Sequence, residues 1–158
     1  MPKKLSIIMF SGEYDKALAA LILVNTAREM DLEALIFFSF WGLCLVRDPD
    51  KMNNTDKSTN EKLFSMTTPK GPEELPLSKM NIAGIGKEML LHMLEADSIP
   101  TLPDFLKGAI KKGVNFYGCK LSVDVMGFRP DEFIPKLKII DAKEYLKDAL
   151  ESDIQLFI

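Results

Sequence analysis

Residues 5–10, Leu5-Ser6-Ile7-Ile8-Met9-Phe10, form a short, nearly unbroken apolar run closed by Ser11-Gly12. That is the pattern of a strand buried on both faces of a parallel sheet. From Glu13 to about Met30 alanine and leucine predominate and helix breakers are absent. Glu13 and Asp15 place negative charge at the start of this stretch, so a helix is expected there. A second strand follows at residues 35–38. Ser39-Phe40-Trp41-Gly42 then reads as a turn opening a short buried helix over residues 43–46. Between Arg47 and Ser78 the pattern breaks: Asp48-Pro49-Asp50, Asn53-Asn54, Pro69-Lys70-Gly71-Pro72 and Pro76 disfavour regular structure, so residues 47–78 read as a mobile loop or insertion.

Periodicity returns with helices expected at residues 87–94 and 102–112, the second ended by Gly113. Residues 114–117 are a third strand running into Gly118-Cys119. A short helix over 120–126 is closed by Gly127, a fourth strand covers 137–140, a helix 142–150 and a terminal strand 154–157. Strands alternating with helices predict one α/β domain over residues 1–158, built on a doubly wound, mainly parallel sheet flanked by helices.

Composition narrows the classes of function. Apolar residues make up 47% and charged residues 27% of the 158 positions, as in ordinary folded soluble domains. The net charge of -3 and scattered lysines argue against a nucleic-acid partner. The longest apolar stretch, residues 17–24, is far short of the ~20 residues that span a bilayer, and the N-terminal run reads as a strand rather than a secretory signal. A cytoplasmic protein without a membrane span is expected. Only two cysteines, Cys44 and Cys119, are present, so neither a disulfide framework nor a CxxC zinc or redox motif is expected, and no metal. The stretch 17–24 is apolar around much of a helix circumference, more than one sheet contact requires, which predicts a homo-oligomer.

The candidate chemistry centres on Cys119. In open parallel sheets, reacting groups collect beyond the carboxyl ends of the strands. A thiol there, at the start of a short helix, meets amides and a dipole end that stabilise a thiolate, with Lys120 adding positive charge. Gly118 lets a substrate approach the backbone closely, and Ser122 and Asp124 are near enough to orient the helix or a bound group. The alternative is a small buried apolar cysteine. Cys44, in Leu43-Cys44-Leu45-Val46, reads as packing material, although its place after a strand leaves a role as a second, resolving thiol open. Ser11-Gly12 follows the first strand at a helix start but lacks a GxGxxG or Walker pattern. Gly84-Ile85-Gly86-Lys87 is a turn and helix start, and His92, set in an apolar run, has nothing tying it to Cys119.

The segment Cys119-Lys120-Leu121-Ser122-Val123-Asp124-Val125-Met126-Gly127, taken with Phe37-Phe38-Ser39-Phe40-Trp41-Gly42-Leu43, resembles the DsrE/DsrF-like family, and the resemblance runs over nearly the whole chain. It implies a small, frequently homo-oligomeric α/β domain that carries sulfane sulfur as a persulfide, here on Cys119, and passes it to an acceptor thiol. The implied partners are sulfur donors, acceptor thiols and other sulfur-relay proteins, with no cofactor because the thiolate is itself the nucleophile. Trp41, Ser11 with Gly12, and residues 47–78 are candidates for shaping the pocket. Two other readings remain: a non-catalytic module that binds a small ligand or a subunit around a structural cysteine, and a dithiol redox protein using Cys44 and Cys119.

Overall fold

The apolar runs become strands and the alanine- and leucine-rich runs become helices, in the order expected. A computed structural model describes residues 2–158. Strand β1 (Lys4–Met9) leads into helix α1 (Tyr14–Glu29) and strand β2 (Glu33–Phe38). A 3-10 stretch, Phe40–Val46, follows, and then helices α2 (Thr59–Thr67), α3 (Ile85–Ala96) and α4 (Leu102–Lys111). Strand β3 (Asn115–Cys119), helix α5 (Lys120–Val125), strand β4 (Leu137–Ile140), helix α6 (Ala142–Leu150) and strand β5 (Ile154–Phe157) complete the chain.

The five strands pair in parallel in the order β4-β3-β2-β1-β5. The chain steps from β1 to β4 in one direction, and β5 returns to the free side of β1, so the winding reverses between β1 and β5. Alternating side chains divide between two cores. Leu5, Ile7, Met9, Ile36, Phe38 and Phe116 join the larger one with α1 and α4. Leu35, Phe37 and Cys119 face the other way, beneath Tyr145 and Ala149 of α6. Tyr145 stacks on Phe37 at 4.3 Å, and its hydroxyl shares a 3.0 Å hydrogen bond with buried Ser6.

The expectation of irregular structure over residues 47–78 is corrected in part. Helix α2 lies inside this segment, started by a capping box in which Ser58 Oγ accepts from the Glu61 amide and Glu61 Oε2 accepts from the Ser58 amide at 2.7 Å. The segment is also pinned at depth. Lys57 Nζ donates to Glu132 Oε1 at 2.5 Å with both side chains fully buried. Glu132 further accepts from the amides of Asn53 (3.1 Å) and Arg129 (2.6 Å). Arg47, 1% exposed, donates to Thr68, Pro69 and Ser65 and lies 4.3 Å over the Phe128 ring. These bonds satisfy buried polar atoms that would otherwise be costly, although Arg47 Nε is left without a partner.

Candidate functional site

The carboxyl edge of the sheet carries two separate groups of the residues singled out in the sequence. Cys119 ends β3 and is the N-cap of α5, where first-turn amides have no intrahelical acceptor. It is 8% exposed, within an apolar group formed by Leu35, Phe37, Ile140, Tyr145 and Ala149. Ser122, fully buried in the first turn of α5, shares a 3.1 Å hydrogen bond with the hydroxyl of Ser39, just past the end of β2. That bond ties the cysteine-bearing turn to the neighbouring strand end.

The charged neighbours are turned elsewhere. Lys120 Nζ lies 2.7 Å from Asp124 Oδ2, both side chains well exposed, and the hydrogen bond and charge of Asp124 raise the lysine above its ordinary pKa. The space over Gly118 belongs to the protein itself: a Cβ there would meet Ile139 at 2.9 Å, Leu137 at 3.1 Å and Leu43 at 3.4 Å. The glycine therefore lets side chains close over the strand end. His92 is exposed on α3 and borders a different cleft with Glu88, Glu95 and Asp104.

Ser11, Gly12 and Trp41 assemble away from Cys119. They line a cleft of about 520 Å³ beyond the end of β1, with Phe10, Glu13, Lys16, Pro69, Pro76 and Cys44. Gly12 packs directly on Trp41, whose carbonyl oxygen a Cβ would meet at 2.8 Å. Trp41 is 44% exposed and also borders a smaller apolar cleft with Phe64, Val125 and Met126, so it stands between the first cleft and the far end of α5. The cleft adjoins β1, the strand at which the winding reverses, where open α/β sheets commonly hold ligands.

Cys44 sits in the wall of this cleft with no exposed surface. Burial pushes its thiol up to about 11, against the lowering influence of the Arg47 charge. It packs in the larger core, whereas Cys119 packs in the separate apolar group under α6. Both are free. The sequence does not reveal Ser39, Tyr145 or Phe37 beside Cys119, nor Lys16 in the cleft, whereas Pro69 and Pro76 come from the segment 47–78 expected to shape a pocket with Ser11 and Trp41. The strand period does place Phe37 and Cys119 on one face once the register Phe38↔Gly118 is known, but the register is not written in either strand alone.

A comparison with protein families matches residues 1–157 to the DsrE/DsrF/DrsH-like family. The chain belongs to this family. It is 35% identical over 156 residues to the uncharacterized protein YrkE of Bacillus subtilis, covering 99% of this chain and 97% of that one. It is 26% identical over 156 residues to the sulfur carrier protein DsrE2 of Allochromatium vinosum, covering 99% and 98%. The crystal structure of the YchN protein from E. coli superposes with a TM-score of 0.58 at 13% identity, over 99% of both chains, which supports the α/β fold. Family membership and the DsrE2 relative support a sulfur-relay role at the level of the family. Among the described residues, no helix is long and apolar enough to cross a membrane, and no group of three or more His, Cys, Asp or Glu is placed to hold a metal ion.

Proposed function

We propose that this DsrE-like protein carries sulfane sulfur as a persulfide on Cys119, in the cytoplasm, between donor and acceptor thiols of a sulfur relay. The Cys119 thiolate attacks the outer sulfur of a donor persulfide R–S–SH. The donor S–S bond breaks, its electron pair leaves with the donor thiolate, and a new S–S bond gives Cys119–S–SH. An acceptor thiolate then attacks that outer sulfur and returns Cys119 to its thiolate, with no net oxidation in either step. The observation that carries this reading is the placement of Cys119 at a strand end and helix N-cap in a family that includes a sulfur carrier. The apolar surroundings of Phe37, Ile140 and Tyr145 shelter the persulfide from water. Ser122 acts as a positioning residue through Ser39, and Gly118 lets the strand end pack closely.

Incubation with polysulfide followed by peptide mass spectrometry tests the assignment. Whole sulfur atoms are expected on the Cys119 peptide, lost on reduction and absent in Cys119→Ser, and His92→Ala should load as the parent does. Equal loading of the Cys119→Ser protein overturns the reading.

The cleft of Ser11, Gly12 and Trp41 favours a second reading, in which the protein holds a small ligand independently of Cys119. Trp41 is the sole tryptophan, so its fluorescence reports on this cleft. Saturable quenching by a low-molecular-weight thiol or persulfide that persists in Cys119→Ser supports this second reading, and no saturable change counts against it.

A further inference from the structure

Helix α3 is apolar on two opposite sides. Leu90, Leu91 and Leu94 turn inward, and Leu94 is 7% exposed. Ile85, Met89 and Met93, spaced i, i+4, i+8, point outward and are 58%, 58% and 62% exposed. The turn leading into the helix adds Met80 and Ile82 at 84% and 81%. Met80 is held against the helix, since a Cβ on Gly86 would overlap its carbonyl oxygen. A helix with apolar stripes on two sides has both to cover, and this chain covers only one of them. All five are more than half exposed, a clustered apolar surface of the kind that marks an interaction site rather than scattered surface hydrophobics. The expectation that α1 would supply the oligomer contact finds less surface: Ala17, Ala20, Leu21 and Val24 are buried, and Ile22 and Leu23 are each 41% exposed.

We propose that this face is the interface with a second copy of the chain, the two α3 helices running antiparallel about a two-fold axis near Met89. One patch that pairs with itself is the geometry of a closed dimer. In that arrangement Ile82 and Ile85 of one copy lie against Met93 of the other, and the flexible thioethers fill the seam. The charges at the two ends select the direction. Exposed Lys79 precedes the helix, whereas exposed Glu95 and Asp97 lie at its far end. An antiparallel mate sets each lysine beside the other copy's carboxylates and opposes the helix dipoles. A parallel mate sets like charges side by side. Glu88 and His92 lie along the rim and stay in solvent.

Two measurements test this. Light scattering at micromolar concentration should give a multiple of the 17.8 kDa chain, and Met89→Glu, with its circular dichroism intact, should at least halve that mass. Cross-linking provides a test that does not depend on that variant folding. In a Cys44→Ala, Cys119→Ser background, Met89→Cys should form an intermolecular disulfide roughly tenfold faster than Leu63→Cys, an exposed control on α2, because only the former brings Cβ atoms within the ~3.5–4.5 Å a disulfide needs. Ile82→Cys mixed with Met93→Cys should cross-link faster than Ile82→Cys alone. A monomer throughout, an unchanged mass in folded Met89→Glu, or preferential Ile82-to-Ile82 linkage overturns the proposal.

Discussion

At the scale of single residues, the two thiols differ in what surrounds them. Cys44, wholly buried in the larger core, has its pKa pushed up to about 11 by burial. At pH 8 about one molecule in a thousand carries the thiolate there, by the ordinary titration law. Iodoacetamide under native conditions should therefore leave Cys44 unmodified, and peptide mapping should find label on Cys119 first. Linkage adds a pH effect of definite sign. A group whose folded pKa lies above its ordinary value of 9.0 stabilises the fold fully below that value and loses the contribution as pH rises toward 11. Cys44 should cost up to ~2–3 kcal/mol over that window. Urea unfolding of the parent and of Cys44→Val at pH 8 and pH 10.5 measures it: the parent should lose more stability between the two, and an equal loss in both contradicts the assignment. Lys120 illustrates a different point. Its charge is already paired with Asp124 on an exposed helix face, where such pairs matter little energetically. Lys120→Ala should therefore change the rate of sulfur loading on Cys119 by less than about threefold.

At the scale of elements, what the sequence made legible follows from how local each signal is. The strands at β1, β2 and β3 are apolar runs cut by turn residues, α4 ends before Gly113 at φ 77°, and α5 ends at Gly127 at φ 68°, so their own residues determine them. Helix α2 is hard to read because Asn53-Asn54 and Pro69 frame it and its mean character is polar, yet Ser58-Thr59-Asn60-Glu61 carries the S-x-x-E signature of a helix start. The capping box matters because α2 buries only Ser65 fully, its other anchor being the half-buried Phe64 against Trp41 and Phe128. Ser58→Ala should lower global stability by about 1 kcal/mol, measured by denaturant midpoint, with faster proteolysis between residues 52 and 68. The grouping of Ser11 and Trp41 around Cys44 rather than Cys119 was not legible, because it depends on where the 3-10 stretch Phe40–Val46 lands. Gly42 sets that position: its amide donates to the Phe10 carbonyl at 3.0 Å, and a Cβ would overlap the Met9 carbonyl oxygen. No motif states that contact.

At the scale of the whole molecule, the segment from Arg47 to Ser78 is joined to the connection between α5 and β4 by a buried set of three charges, two cations and one carboxylate. Glu132 is its hub, meeting Lys57 Nζ and the amides of Asn53 and Arg129, while the backbone of residues 46–48 pairs with that of 132–134. Desolvation lowers the Arg47 pKa, against the raising influence of Cys44, then Glu132, then Glu74. Removing one member of a buried pair strands the other, at about 3–5 kcal/mol. The two possible removals are not equivalent here. Lys57→Met leaves Glu132 with both amide donors and the Arg47 field, so the remaining charge is partly answered. Glu132→Gln leaves two buried cations with no carboxylate between them and weakens the bonds that order residues 53 and 129. Glu132→Gln should therefore sit at the upper end of that range, about 4–5 kcal/mol, and Lys57→Met clearly below it. The gap should narrow when Lys57→Met is already present, because one stranded cation is then gone. Chemical denaturation of the two single variants and the double variant decides the matter: equal losses in the two singles, or strict additivity in the double, would show that Glu132 is not the shared counter-charge.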